Sequence, residues 1–313
     1  MPTKLIIDTD CGIDDAIAIL MALADPEIEV LGITCVHGNV PIDLVTRNVA
    51  LVLDVVGAKP IPIFRGAARP LLGVSVHAHN VHGHDGLGDA GFPLSTRYID
   101  PASGVPALVH LVTENPGCTL VALGPLTNLA LALAIEPKLP DLLRSTVIMG
   151  GAVQGVGNTT PVAEFNIYAD PEAASIVFER GLNPTVLTWD ATLSAPVLWT
   201  DWERLLNCGT VGKHFIAAIT AANSDRDRER DHLGILMPDP LAMGVFLDPS
   251  CATTYSAMLE VDTSRGIARG LTALDRYGIL GNPHNTQVVS SVDQKRFCAL
   301  LERTCTMECK LEI

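Results

Sequence analysis

The sequence predicts an α/β fold, a mostly parallel central sheet flanked by helices on both faces, and three observations predict it. Short runs rich in Ile and Val alternate with helical patterns through the first two thirds of the chain, as βαβ units do. The first such run, Leu5–Ile7, ends in a polar turn containing Gly12 and passes directly into a helical pattern. The composition, 48% hydrophobic and 18% charged over 313 residues, suits a soluble globular protein with a sizeable core.

Taken in order, Leu5, Ile6 and Ile7 read as a buried strand, Asp8 to Gly12 as a turn, and DDAIAILMALA from Asp14 as a helix with carboxylates in its first turn. Further strands read at 29–36, 60–64, 118–124, 145–151 and 183–189. Helical stretches between them include IDLVTRNVALVLDVVG and PLTNLALALAIEP. From Cys251 the chain is strand-rich again, and it closes on a helix, VDQKRFCALLER. With no internal repeat and no low-complexity linker, residues 1–313 read as one domain whose last third is an extension packed on the first sheet. The dense charge run SDRDRERDH at 224–232 reads as a solvated helix face or exposed loop, in preference to an active-site lid.

A formal net charge of −14 with no basic run argues against a nucleic-acid partner and suits a site that collects a cation. Eight Cys occur without CxxC or a zinc-like spacing, and Cys35 and Cys118 sit in apolar runs, so they read as reduced core residues. Apolar Leu5 begins almost at once, so no signal peptide is expected before the first strand, and no apolar run reaches membrane-spanning length. A cytoplasmic protein without a membrane partner is expected.

The chemistry concentrates where predicted strands end, the place where ligands bind in open α/β sheets. Asp8, Asp10, Asp14 and Asp15 fall within eight residues. One of them can cap the helix and complement its dipole. The other three would repel one another in a confined loop, and a divalent cation resolves that conflict. His37-Gly38-Asn39, Gly124 to Asn128 and Met149-Gly150-Gly151 follow later strands, and Asn158 precedes EFNIYADPEAA. Glu164 and Asn166 are two apart, so in an extended segment they point the same way and can grip neighbouring hydroxyls. Asp170 before Pro171 reads as a helix cap without chemistry. Four His between 77 and 84 lack Cys and the helical i, i+4 pairing of a zinc site, so a glycine-rich mobile loop near the site is the better reading. A His there could donate a proton near neutral pH. Asp239 before Pro240 is a helix cap or a carboxylate brought to the cation from far along the chain.

DTDCGIDDAIA at Asp8–Ala18, HGN at 37–39, HGHDGLGD at 82–89, GPLTN at 124–128, EFNIYADPEAA at 164–174 and DPLA at 239–242 together resemble the inosine–uridine-preferring nucleoside hydrolases, in that family's order. The resemblance implies a single Rossmann-like domain that cleaves the N-glycosidic bond of ribonucleosides to ribose and free base, with bound calcium. It implies Asp10, Asp15, Asp239 and the backbone carbonyl of Leu123 as calcium ligands. Asp14, Asn39 and Asn166 resemble ligands of the ribose hydroxyls, and Asn158, Glu164 and the backbone near Met149 resemble the grip on the 5′-hydroxyl. Asp10 would take a proton from the attacking water, and Asp8 would orient the set. The family also implies a homodimer or homotetramer acting on small-molecule nucleosides.

The chain departs from the family in three places. Many members carry a His immediately before the last metal Asp, where it protonates the departing base; here that residue is Pro238, which cannot. His82 becomes the first candidate for contact with the leaving base and His232 the second. Cys11 replaces a Pro common in bacterial relatives, and Arg276 stands where several members show an aromatic residue beside the base. Two rival readings have a sequence motive. Pro238 suits a calcium-dependent nucleoside-binding protein without turnover. IIDTDCG superficially suits a haloacid-dehalogenase-like phosphatase, but no Lys stands at a mid-chain strand end and EFN…DPEAA would go unused.

Overall fold

A computed structural model describes residues 2–311. Its strands are β1 (Thr3–Thr9), β2 (Ile28–Cys35), β3 (Ile63–Arg65), β4 (Asp100–Ser103), β5 (Thr119–Ala122), β6 (Ser145–Met149), β7 (Thr185–Leu187), β8 (Val197–Leu198), β9 (Gly234–Ile235), β10 (Ala252–Val261), β11 (Thr272–Asp275) and β12 (Thr286–Val292). Ten of them form one sheet in the order β11-β10-β12-β7-β6-β5-β1-β2-β3-β4, and β8 pairs with β9 apart from it. Every neighbouring pair from β4 across to β12 is parallel; β10 alone runs against the rest. The chain therefore winds outward from β1 to β4 on one side and from β5 to β7 on the other. The order reverses between β1 and β5, where Asp8 registers with Ala122, and a crevice opens beyond their carboxyl ends.

Alternation along the strands divides the core in two. Leu5 and Ile7 of β1, Val121 of β5, Val147 and Met149 of β6 and Leu187 of β7 face one apolar cluster. Ile6, Leu120, Ile148 and Val186 face the other. Helices Ile13–Ala24, Ile42–Val55, Pro238–Leu247 and Gln294–Cys305 cover the first face. Helices Gly104–Glu114, Thr127–Ile135 and Pro171–Glu179 cover the second. Burial on both faces explains why these strands read as continuous apolar runs.

The predicted elements stand with four adjustments. The strand read at 60–64 is only Ile63–Arg65, because Pro60 and Pro62 cannot donate to the ladder. β4 escaped the sequence reading because DPAS carries no apolar alternation; it is an edge strand. The run 183–189 stops as a strand at Leu187, and Trp189 opens a short helix capped by Thr188. The last third is more than an extension: β12 lies parallel beside β7 and carries the main sheet onward. Among the described residues, no helix is long and apolar enough to cross a membrane.

Candidate active site

β1 delivers Asp8 and the turn after it into the crevice. Asp8 is fully buried; its Oδ1 accepts from Thr34 Oγ1 and from Asn128 Nδ2 (2.7 Å), while Oδ2 has no partner. Burial pushes its carboxyl up to about 7. Gly12 caps helix Ile13–Ala24, and Asp15 reaches back to accept the Gly12 amide (2.8 Å), which is half of a capping box. The same carboxylate also accepts from Thr9 Oγ1 and from Asn39 Nδ2 (3.1 Å). Capping thus involves Asp15 but leaves Asp10 and Asp14 unexplained.

Asp10 is also fully buried. Its Oδ2 accepts the Asn39 amide (2.7 Å), and its Oδ1 has no partner. Two glycines make room for it. A Cβ on Gly38 would stand 1.9 Å from Asp10 Oδ2, and one on Gly124 would stand 2.8 Å from Oδ1. Asp239, at the second position of helix Pro238–Leu247, arrives against the start of helix Ile13–Ala24, because these two helices pack together. Carboxylate oxygens of Asp14, Asp15 and Asp239 converge within 4.8 Å of one another. Burial first, then mutual repulsion, holds Asp10 and Asp239 well above the usual carboxylate range. Burial lifts Asp14 to about 6.

This donor set fits a cation. It consists of hard oxygens, two of them (Asp10 Oδ1 and Asp14 Oδ1) are buried without any partner, and the charges repel in a poorly solvated pocket. Asp10 is outside the converging trio, and the Leu123 carbonyl already accepts from Asn166 Nδ2 (2.6 Å), with its second lone pair left over.

The cavity beside the carboxylates measures about 630 Å³, within the range of small-molecule sites. Asp14, Asn39, His82, Leu123, Met149, Asn158, Glu164, Asn166 and Asp239 all line it. The segment around Glu164 is not extended, which corrects the reading of Glu164 and Asn166 as neighbours along a strand. Phe165–Ala169 is a helical turn, and Glu164 caps it, accepting the amides of Asn166 (2.9 Å), Gly151 (2.9 Å) and Ile167 (3.2 Å). Asn166 Nδ2 also reaches the Met149 carbonyl (3.2 Å), tying β5 to β6. Asn158 Oδ1 accepts the Phe165 amide (2.9 Å).

The His segment is not a loose loop. Asp85 and Asp89 each accept two amides within it, and Asn48 Nδ2 binds the Asp85 carbonyl (2.9 Å). His77 and His79 turn their Nδ1 atoms to backbone carbonyls. His82 is buried; its Nδ1 accepts the Ile13 amide (3.1 Å) and lies 3.8 Å from Asp14 Oδ1. Burial drives its pKa down to about 4, so near neutral pH it is an uncharged ring with its hydrogen on Nε2. A Cβ on Gly12 would stand 2.4 Å from that ring, which is why the turn needs glycine there.

Asp170 is a cap, accepting the Ala173 amide (3.1 Å); it also takes a hydrogen bond from Thr127 Oγ1 (2.6 Å), which in turn meets His37 Nε2 (2.9 Å). The Thr-Asn of GPLTN is therefore wiring behind the site. Sequence reasoning missed part of the cavity wall: Trp189, hidden in a run read as strand, lines it, and so do Arg226, Asp227 and Arg230 from the charge run, beside His232, the second candidate for the leaving base. Asp227 is buried, which corrects the purely solvated reading; Asp225, Arg228 and Glu229 are exposed. The signal was a buried-side spacing concealed by uniform charge. Arg276 lies on an exposed loop outside the cavity lining, its guanidinium 4.3 Å from the Tyr255 ring.

Residues 5–299 match the family model described as inosine-uridine preferring nucleoside hydrolase. The chain is 36% identical over 308 residues to the inosine-uridine preferring nucleoside hydrolase of Leishmania major, with 96% of each chain covered. It is 36% identical over 304 residues to a pyrimidine-specific ribonucleoside hydrolase of Citrobacter koseri, covering 96% of this chain and 97% of that one. The solved structure of a plant nucleoside hydrolase superposes with a TM-score of 0.91 at 36% identity, over 98% of this chain and 99% of the other.

Proposed function

The chain belongs to the inosine-uridine preferring nucleoside hydrolase family and is an enzyme of ribonucleoside hydrolysis; on that premise we propose a calcium-dependent N-ribohydrolase with Asp10 as general base. The observation that carries the reading is a pair of buried, unpartnered carboxylate oxygens: Asp14 Oδ1, whose residue lines a nucleoside-sized cavity, and Asp10 Oδ1 behind the lining residue Asn39. Asp10, Asp15, Asp239 and the Leu123 carbonyl would hold the cation. When bound, the cation supplies counter-charge to the carboxylates and Lewis-acid activation of water.

The protein's own groups do the rest. Asp10 is steered through Oδ2 by the Asn39 amide, so Oδ1 is left to receive the proton of the attacking water. Burial and the neighbouring carboxylates raise its pKa, and the counter-charge of a bound cation would lower it again so that Asp10 is ionised and can act as base. Asp14, Asn39 and Asn166 hold the 2′- and 3′-hydroxyls. Asn166 directs Nδ2 at two backbone carbonyls, so its Oδ1 remains an acceptor. Asn158, Glu164 and the Met149 carbonyl hold the 5′-hydroxyl. Grip on three hydroxyls positions and distorts the sugar, applying remote binding energy to the reacting bond. Positive charge develops on the ring in an oxocarbenium-like state, and the surrounding carboxylates stabilise it there. His82 contributes a base contact through its neutral ring. Assembly as a homodimer or homotetramer and a cytoplasmic location belong to the same reading.

Ribose release from a panel of nucleosides tests the proposal, using protein stripped with chelator and then reloaded. Release that returns with calcium and is absent from Asp10→Asn supports it. Full release from the stripped protein would remove the cation from the account.

A further inference from the structure

Pro238 has no proton to give, and His82 is held uncharged with its Nδ1 on the Ile13 amide. A departing base needs a proton or an equivalent, so another part of the cavity wall must supply it. Helix Ala217–Glu229 ends there, and Asp231, in the left-handed region at φ 55°, turns the chain back so that His232 lies over the helix's last turn. The His232 amide donates to the Asp227 carbonyl (3.0 Å), and the His232 carbonyl accepts from Trp199 Nε1 (2.9 Å). The backbone of His232 is thus clamped on both sides.

Its ring sits beside a carboxylate. Nδ1 is buried, makes no hydrogen bond, and lies 3.3 Å from Asp227 Oδ1. The other oxygen of that carboxylate accepts the Leu236 amide (3.1 Å). The Asp227 side chain is 5% exposed, whereas the His232 side chain keeps 26% and lines the cavity. With Nδ1 shielded, the exposed edge of the ring is the one carrying Nε2. The Asp227 carboxylate, fixed through one oxygen by the Leu236 amide, presents its other oxygen to the imidazole and so can set the ring's orientation. Arg226 and Arg230 line the same wall, but a guanidinium does not release its proton near neutral pH.

We propose that His232, oriented by Asp227, donates the proton to the departing base. The inference rests on the ribohydrolase reading above. As the C1′–N bond breaks, its electron pair goes to the base, and the Nε2 proton of His232 passes to a ring nitrogen. Water adds to C1′ and gives its own proton to Asp10, so the products are ribose and neutral base. Solvent then returns a proton to His232 and takes one from Asp10. His232 is the catalytic residue in this step and Asp227 a positioning residue.

Two substrates with the same sugar separate leaving-group help from everything else. Inosine leaves poorly without a proton; 4-nitrophenyl β-D-ribofuranoside leaves as a stable phenolate that needs none. His232→Gln is expected to lower kcat on inosine by about 10²-fold, as the loss of a general acid does, and to lower kcat on the nitrophenyl riboside by less than about threefold. Asp227→Asn should lower kcat on inosine without raising KM, and again spare the nitrophenyl riboside. Equal losses on both substrates, or an unchanged rate on inosine in His232→Gln, would overturn the proposal. Failure of the unaltered protein on both substrates would instead overturn the ribohydrolase reading, so the two failures are distinguishable.

Discussion

Behind one part of the cavity wall Asp10 and Asp15 are 0% exposed, Asn39, which bonds to both and lines the cavity, is 6% exposed, and backbone amides and glycine hydrogens fix their positions. On another part of the cavity wall Arg226, Arg230 and His232 hang from the close of a helix whose Asp225, Arg228 and Glu229 face solvent. The first part grows from the carboxyl ends of β1, β2 and β5 at the reversal of strand order, where the fold itself dictates position. The second is assembled by side chains from the periphery. Under the proposed function, the rigid part meets the cation and the ribose common to all ribonucleosides, and the peripheral part meets the base that differs among them. Substitution should therefore act through kcat at the first part and through substrate choice at the second.

The largest effect should follow Asp10→Asn. A fall in kcat of about 10²–10⁴-fold is expected, with nucleoside affinity by calorimetry nearly kept; matched losses of rate and affinity would make Asp10 a binding residue. Gly38→Ala should come next. The new Cβ would stand 1.9 Å from Asp10 Oδ2, so Asp10 must shift, and a displacement of that order costs about 10²-fold in kcat. A steady-state rate close to that of the unaltered protein would show that Asp10 has slack there.

A smaller effect concerns stability. Burial raises Asp8 to about 7 and Asp14 to about 6, from an ordinary 3.8, and Asp10 and Asp239 are also held well above that ordinary value. Their protonated forms suit the fold, so this contribution is fully present below the ordinary value and is lost as pH rises through the raised ones. The Tm of chelator-treated protein should fall between about pH 4 and about pH 7, and calcium should offset the fall. His37 and His82, both pushed down to about 4 from an ordinary 6.5, act in the opposite sense between those values and offset part of the fall. A Tm of the stripped protein that rises across the window would mean the carboxylates are already compensated.

The smallest effect is expected from Arg226→Ala. Its guanidinium lines the peripheral part of the wall and stands 3.5 Å from the Asn80 and Val81 carbonyls. Loss of one polar contact of about 0.5–1.5 kcal/mol should change KM by a few-fold, and by different factors for inosine and uridine. A uniform change across bases would blur the distinction between the two parts.

The contrast between the two parts also governed what could be read from the residues. DTDCGIDD announces its carboxylates within one short stretch, and the strand before it and helix after it are local patterns. Asp239 was legible as either a helix cap or a metal candidate, and the choice needed more than local pattern, because the helix packing that delivers it is tertiary. Glu164 was misjudged as part of an extended segment, since a cap of a five-residue helix leaves almost no periodic trace. Thr127 and Asn128 gave no hint that they connect Asp8, His37 and Asp170 behind the site. Asp227 and His232 sit in a run whose charges mask its buried side, and Trp189 is two residues beyond a true strand end. Peripheral side chains that converge only in space carry no short-range signal.

The most direct test of the account is ribose release measured as reducing sugar, with calcium present, from inosine, guanosine, adenosine, uridine and cytidine, for the protein and for Asp10→Asn side by side. The account predicts release from at least one nucleoside, lost in the variant while nucleoside binding persists. Binding without release from any of them would contradict it and leave a calcium-dependent nucleoside-binding protein in its place.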